Sequence, residues 1–440
     1  MNSIRLTIVL VAACSLSKTS GMTLETALDA TLKNNPAILQ AKANLEQAAG
    51  HRLVLRSIMW PTLKAGVPGG VQGGQRDGQS SPKLFIFARG SFTQPLFNAA
   101  IPPSARLGDV DLLIAEQQFN IAVEEQLHAA RLSFYSALYS RHLQSIREEQ
   151  RRRLDENVAS QKERYEAGLS DRGAFTSATV QARQLDAQIE TARRVYDDAK
   201  VKLSGAMGGN LGPEGKLSEP EGELQFSPAN VDLSAETAAA LDRRADLKLA
   251  RLMVRAANEQ QRIIEAGYYP VVAGTISGDY IPVSGIHREG STRRTEDFTG
   301  SEIREGAVYT WRVIDNGKII GAAMKQRKAR EINEIACRKL ESNVGIELSR
   351  IRNELAAIDA RQKSLSGGLA MAEQASTMVQ ENLATGVASQ LEYRLAQTGF
   401  LDVKSGLLAA AYQHNIAMAE WDRATGRYFQ FSEETAPNGH

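Results

Sequence analysis

Apolar and polar positions along this chain keep two different periods. From about residue 104 to 166, apolar side chains such as Leu143, Ile146, Leu154, Val158 and Tyr165 fall at sums of three- and four-residue steps, the spacing of one helix face. The stripe is thin and alternates with Ala, Gln, Glu and Arg. Small residues allow close helix–helix approach in a wall of several helices, whereas a Leu-rich seam would favour a two-stranded rod. Elsewhere the period drops to two. In AVYTWRVI, Val308, Thr310 and Arg312 share one face, and Tyr309, Trp311 and Val313 share the other. KLFIFARGSF is less clean, with Phe85 and Phe87 on one face but Leu84, Ile86 and Ala88 opposite.

Breakers between these runs predict an order of elements. A first helix spans about residues 23–59 and is stopped by Pro61. Strands follow near 62–70 and 84–96, then a long helix over 104–166, a break at Gly168, and a helix over 172–206. The chain then reads helix 233–268, strands near 271–280 and 304–314, and helices over 316–384 and 389–425, with Gly367-Gly368 marking a seam. At 1.5 Å per residue the longest segments reach about 100 Å, a length typical of coiled coils and rare in globular domains. The connections GVQGGQRDGQSSPK and SGIHREGSTRRTEDFTGSE are polar and Gly-rich, as exposed loops are.

The same order appears twice. A fixed offset of 209 pairs Leu24 with Leu233, Leu32 with Leu241, Ala41 with Ala250, Ala48 with Ala257 and Pro61 with Pro270. Later blocks repeat at an offset of 218, pairing Gly168 with Gly386, Ala178 with Ala396, Ala192 with Ala410 and Gly208 with Gly426. The chain is therefore expected to divide into a leader at 1–21, a first repeat at 22–208, a linker at 209–231, a second repeat at 232–426 and a tail at 427–440.

Four strands per chain cannot close around a useful lumen. Open sheet edges are not tolerated in lipid, because unpaired backbone groups find no water there. The strands either stay out of the membrane or close through a symmetric ring of copies. Strand physics alone does not choose three copies over four.

Composition and charge remove other classes. The formal net charge is +1, and basic runs such as Arg151-Arg152-Arg153 lie beside acids on a helix, so no nucleic-acid partner is expected. Only 6% of the residues are aromatic, which suits extended helical packing better than a large enzyme core. Arg5 precedes the apolar run Leu6 to Ala13, which is too short to span a bilayer and suits a secretory signal. Val11-Ala12-Ala13-Cys14 resembles a bacterial lipobox, which would make Cys14 the lipidated first residue of the mature chain; the competing cut lies near Gly21. None of the six histidines forms a His-x-x-x-His pair or joins a cysteine cluster. The glycines at 66–74 lack the Lys-Ser/Thr ending of a phosphate loop. Asp242 and Asp246 share a helix face but adjoin Arg243 and Arg244, a solvated helix start rather than an acid–base pair. No catalytic residue, cofactor or metal is expected.

Several segments carry a family resemblance. TLETALDATLKNNPAILQAKANLEQAAG, with Asn-Asn-Pro at 34–36, resembles the opening of the TolC-like outer-membrane factor (outer membrane efflux protein) family. FTQPLFNAA resembles that family's strand-to-helix passage, LDRRADLKLAR its repeat start with Ala245 in place of proline, and MAEWDRATG its closing segment. The resemblance covers nearly the whole chain after the leader. It implies a mainly α homotrimer, in which a twelve-strand β-barrel in outer-membrane lipid continues as a long periplasmic α-helical coiled-coil barrel. The implied role is that of a non-enzymatic exit duct in tripartite efflux or type I secretion, fed by an inner-membrane pump through a periplasmic adaptor. A periplasmic coiled-coil scaffold or adaptor-like protein is the competing reading.

The resemblance also implies sites. Adaptors of the family engage helix–turn–helix tips, which match RYEAGLS and NLATGVAS here and so nominate Arg164, Gly168, Leu169, Ser170, Gly386, Val387 and Ser389. The glycines suit left-handed helix ends, and Ser170 and Ser389 suit caps on the next helices. Acid rings of some relatives' entrances place one acid on Glu392, with Arg394 beside it, and the other position on Leu395, so at most half of that arrangement is kept.

Overall fold

The computed structural model describes residues 22–72, 83–209, 219–228, 231–287 and 295–428. The elements in chain order are α1 (Leu24–Asn34), α2 (Pro36–Ser57), β1 (Thr62–Gly66), β2 (Gly69–Gln72), β3 (Lys83–Ile86), β4 (Ala88–Asn98), α3 (Ile101–Glu166) and α4 (Arg172–Ala206). Then come α5 (Leu233–Arg243), α6 (Ala245–Glu265), β5 (Val271–His287), β6 (Thr295–Thr310), α7 (Lys318–Thr385) and α8 (Gln390–Ala424). The fold is mainly helical with a small sheet. No described helix is long and apolar enough to cross a membrane.

The chain forms two compact units. One comprises the residues up to Leu39, Val123–Leu233 and Leu348–Ala424; the other comprises Gln40–Ala122, Ser234–Glu347 and the residues from Thr425 onward. In the first, Phe134, Leu138 and Leu203 pack with Ala27, Ala137, Ala199 and Ala419. Four alanines in that cluster let helix backbones approach closely, as the Ala-rich stripe requires. In the second, Leu107 and Val110 of α3 pack against Ala256 of α6.

The helix expected over 23–59 is two helices. Asn35 adopts an extended conformation (φ −68°, ψ 123°), because Pro36 disfavours helical geometry in the residue before it. The break is then fixed by hydrogen bonds. The Asn35 side-chain amide donates to the carbonyl of Ala206 at 2.8 Å and to Gln126 Oε1 at 3.0 Å, while its Oδ1 accepts from the Ala37 amide at 2.9 Å. The helix expected over 233–268 breaks at Arg244 (φ −59°, ψ 127°) without a proline. There the guanidinium holds Asp246 at 2.8 Å and Glu347 at 2.6 Å.

Other boundaries follow from local chemistry. α3 starts earlier than expected because Pro102 and Pro103 sit in its first turn, where an N–H has no helical partner. Gly367-Gly368 makes no seam: α7 runs unbroken for 68 residues, since about 1 kcal/mol per glycine is too little to open a packed helix. The expected strand over 62–70 is two strands, separated at Val67-Pro68, and Phe87 lies between β3 and β4. The uneven pattern of KLFIFARGSF thus comes from its crossing between two sheets. β2 and β3 pair as a separate ribbon.

The main sheet is antiparallel in the order β1-β4-β5-β6. Thr62, Lys64, Arg89, Ser91, Thr93, Thr275, Ser277, Asp279, Glu302 and Arg304 share one face by register. The opposite face carries Leu63, Ala65, Phe92, Ile276, Tyr280, Ile303, Ala307 and Tyr309, with Gln94, Ser301 and Glu305 among them. Leu63 is 78% exposed and Ile303 73%, so this apolar face is uncovered in the single chain.

Gly208 tests the packing of the first helix break. Its φ is +101°, and a Cβ there would lie 2.5 Å from the Asn34 carbonyl oxygen. Gly208→Ala is expected to destabilise the first unit by about 1–3 kcal/mol, seen as a lower thermal midpoint in helical circular dichroism. Gly209→Ala is the comparison: its φ is also positive, but the space around it is open.

Candidate functional site

The nominated tip residues lie in one unit, at the ends of α3–α4 and α7–α8. Both turns use the same closure. At the first, the Gly168 amide donates to the Tyr165 carbonyl (3.0 Å) and the Leu169 amide to that of Arg164 (2.8 Å). At the second, Gly386 donates to Leu383 (3.1 Å) and Val387 to Asn382 (2.8 Å). With Gly168 at φ +75° and Gly386 at φ +81°, these are Schellman ends, which satisfy carbonyls a terminating helix leaves open.

The N-caps of the next helices differ. Ser170 does not cap α4: its Oγ donates to Gln161 Oε1 at 3.3 Å. Asp171, one residue on, is the cap and accepts from the Ala174 amide at 2.8 Å. Both residue types cap well, and the turn geometry left by Gly168 selects the second. Ser389 does cap α8, accepting from the Glu392 amide at 3.2 Å. The Glu392 carboxylate in return accepts from the Ser389 amide at 2.7 Å and its hydroxyl at 2.9 Å. This is a reciprocal capping box, and the Ser-x-x-Glu spacing that signals it is visible in the sequence.

Arg164 joins the two tips. Its Nη1 donates to the carbonyl of Leu383 at 2.6 Å and to that of Ala384 at 3.2 Å. A cation thus sits at the C-terminal end of α7, where the helix dipole and open carbonyls favour positive charge. Asn157 and Gln390 hydrogen-bond each other one level away, at 3.2 Å and 3.4 Å. Tyr165 and Phe175 stack within the first hairpin. Sequence reasoning missed these cross-hairpin contacts, because nothing in the local pattern says which residues of distant segments face each other. Leu169 and Val387 remain 72% and 78% exposed. Arg394 and Leu395 are exposed on α8, whereas Tyr393 and Gln397 are buried. Cys14 lies outside the described residues.

The boundary between sheet and helices has its own character. Trp60 is 66% exposed, Tyr269 58% and Trp311 51%, and the Trp311 indole N–H donates to the Tyr268 carbonyl at 3.1 Å. These are exposed aromatic rings with polar edges at the strand ends of the sheet.

Hydrogen bonds from the Ser389 backbone and then its hydroxyl hold the Glu392 carboxyl below its usual range. A depressed carboxylate pKa contributes stability that is full above the unfolded value and is lost as pH falls through the folded value. Amides of residues 389–393 are therefore expected to lose hydrogen-exchange protection only in acid below the ordinary carboxylate range. Glu392→Gln should show the weaker protection already at neutral pH.

Residues 27–209 match the family model for outer membrane efflux proteins. The solved outer membrane protein VceC from Vibrio cholerae has the same fold, with a TM-score of 0.75 at 16% identity, over 92% of this chain and 96% of that one. The Campylobacter jejuni CmeC outer membrane channel gives a TM-score of 0.78 at 14% identity, over 93% and 87% of the two chains. The open-state Neisseria gonorrhoeae MtrE outer membrane channel gives 0.68 at 17%, over 92% and 88%. No curated protein sequence matches the chain. The outer membrane efflux protein model thus matches residues 27–209, and the fold shared with solved outer-membrane channels extends over about nine-tenths of the chain.

Proposed function

We propose that this protein is an outer-membrane efflux channel: three copies close a twelve-strand barrel, continued by a tunnel of helices, that passes substrates delivered by a pump and adaptor. The observation that carries the reading is the main sheet. It has one polar face, one uncovered and mostly apolar face that also carries Glu305, and free outer edges on β1 and β6 among the described residues. A sheet with those faces is suited to lipid outside and water inside, but only if both edges find partners. Head-to-tail pairing of β6 with β1 of the next copy closes such a ring.

The exposed aromatics at the sheet–helix boundary support the same reading. Trp60, Tyr268, Tyr269 and Trp311 fit the interfacial girdle that flanks the apolar band of a membrane barrel. The order of elements supports an internal repeat, since helices of 66 and 35 residues are followed in the second half by helices of 68 and 35. Each half also sets a glycine against its helix break: Gly208 against Asn34 and Gly426 against Arg243 and Arg244.

At the tips, the adaptor contact rests on Leu169 and Val387, with Gly168, Gly386, Ser170, Ser389 and Arg164 shaping the turns that present them. Glu392 and Arg394 contribute charge beside the second tip. Cys14 would add a lipid anchor after signal cleavage. A channel of this kind needs no catalytic residue.

Native mass of the detergent-extracted complex, with the mature N-terminus resolved, tests the assembly. Three protomers in the outer-membrane fraction are expected, and a diacylglyceryl group on Cys14 if the lipobox is used. A soluble monomer or dimer would replace the duct with a periplasmic scaffold. For the tips, Leu169→Asp with Val387→Asp is expected to abolish co-purification of an adaptor while leaving the trimer intact. Retained co-purification would remove those residues from the contact.

A further inference from the structure

The polar face of the main sheet carries an ordered set of charges. Arg89 of β4 lies opposite Asp279 of β5, and Asp279 lies opposite Glu302 of β6. Two carboxylates directly opposite each other across a strand pair are unfavourable, and here each is met by its own arginine. Arg89 Nε donates to Asp279 Oδ1 at 2.7 Å and its Nη2 to Oδ2 at 3.4 Å. Arg304, two residues from Glu302 on the same face, donates from Nε and Nη2 to the two Glu302 oxygens at 2.8 Å and 2.7 Å. Lys64 of β1 shares the face, opposite Ser91.

We infer that Arg89, Asp279, Glu302 and Arg304 form a charge-balanced ladder on the lumen wall of the barrel that sets its ion selectivity, leaving Lys64 to favour small anionic solutes. The inference deepens the channel reading and rests on it. Three of the four side chains are more than half exposed, and ion pairs so exposed contribute little to stability. Their main consequence is the field they create. Two arginines and two carboxylates cancel, which leaves Lys64 uncompensated among the described strand residues of this face; Arg312, in the same alternation, lies past the end of β6. Three chains then place three ammonium groups around one lumen. A ring of like charges favours the opposite ion, and at about 0.1 M salt the Debye length of roughly 10 Å lets such a ring act across part of the opening.

Purified full-length protein in planar bilayers, under a potassium chloride gradient near about 0.1 M, reads this directly. Asp279→Asn with Glu302→Gln exposes the arginines and should shift the reversal potential several-fold in permeability toward chloride. Arg89→Gln with Arg304→Gln should shift it toward potassium, and both shifts should shrink at molar salt. Unchanged reversal potentials in both variants, at wild-type conductance, would overturn the ladder's role.

A pore that rests closed is covered by labelling in isolated outer membranes. A charged, membrane-impermeant thiol reagent should modify Ser277→Cys, on the ladder face, faster than Ile276→Cys, on the apolar face, against the background of the unsubstituted chain. Equal or reversed rates would overturn the lumen placement of the ladder. A soluble chain with no membrane fraction would instead overturn the channel reading itself, which separates the two failures.

Discussion

A backbone amide or carbonyl in hydrocarbon has no water to bind and must pair within the protein. The single chain obeys this rule only in part. Its helices bond internally, and the inner strands β4 and β5 are paired on both sides, but among the described residues β1 and β6 each offer a free edge. The other features of the sheet are consistent with that edge being met by another copy. Its apolar face lies bare, its charges are confined mostly to the opposite face, and aromatic rings with polar edges mark where strands give way to helices. Each is a liability in a lone soluble chain and becomes an asset once the edges close in a membrane.

The helical part meets a different constraint, since long Ala-rich helices need close approach and fixed breaks. The first break is held by a neutral side chain, with Asn35 before a proline and bonded to the end of α4. The second has Ala245 where the first has Pro36, so the backbone is not forced out of helix by a ring. Arg244 supplies the constraint instead, through carboxylates on α6 and α7. In both halves a glycine at positive φ sits against the break, so backbone meets backbone without a side chain between them. Two chemistries thus hold a helix break at corresponding places in the order of elements.

What the sequence disclosed follows from the range of the forces involved. Helix ends marked by Gly168 and Gly386, and the α4 span 172–206, were legible because capping is local. The strand faces were legible where a strand stays in one sheet, as at 304–310 of β6, and blurred where KLFIFARGSF passes from β3 to β4; the bounds were not, since β5 runs on to His287 and β6 starts at Thr295 and ends at Thr310, short of 314. The break at Asn35 carried a local signal in Pro36 that the helical period masked, whereas the break at Arg244 has no proline and is held in part by Glu347, 103 positions away. The charge ladder was invisible for the same reason: Arg89 and Asp279 are 190 residues apart, and only pairing register places them face to face.

The tips show how such contacts change the meaning of a nominated residue. Arg164 was singled out as a partner contact, yet its guanidinium already binds the carbonyls that end α7. A partner that took over this group would have to replace charge-assisted hydrogen bonds, at a cost of up to about 3 kcal/mol if the carbonyls were left unpaired. Glu392 is likewise committed to Ser389. With those polar groups satisfied within the turns, Leu169 and Val387 are the turns' own most exposed apolar side chains. Burying a leucine or valine side chain is worth about 1.5–3 kcal/mol, and in the proposed trimer two such positions would repeat around three chains. In the proposed adaptor contact, packing on these side chains would carry the recognition, and the charged residues hold the turns in the shape that presents them.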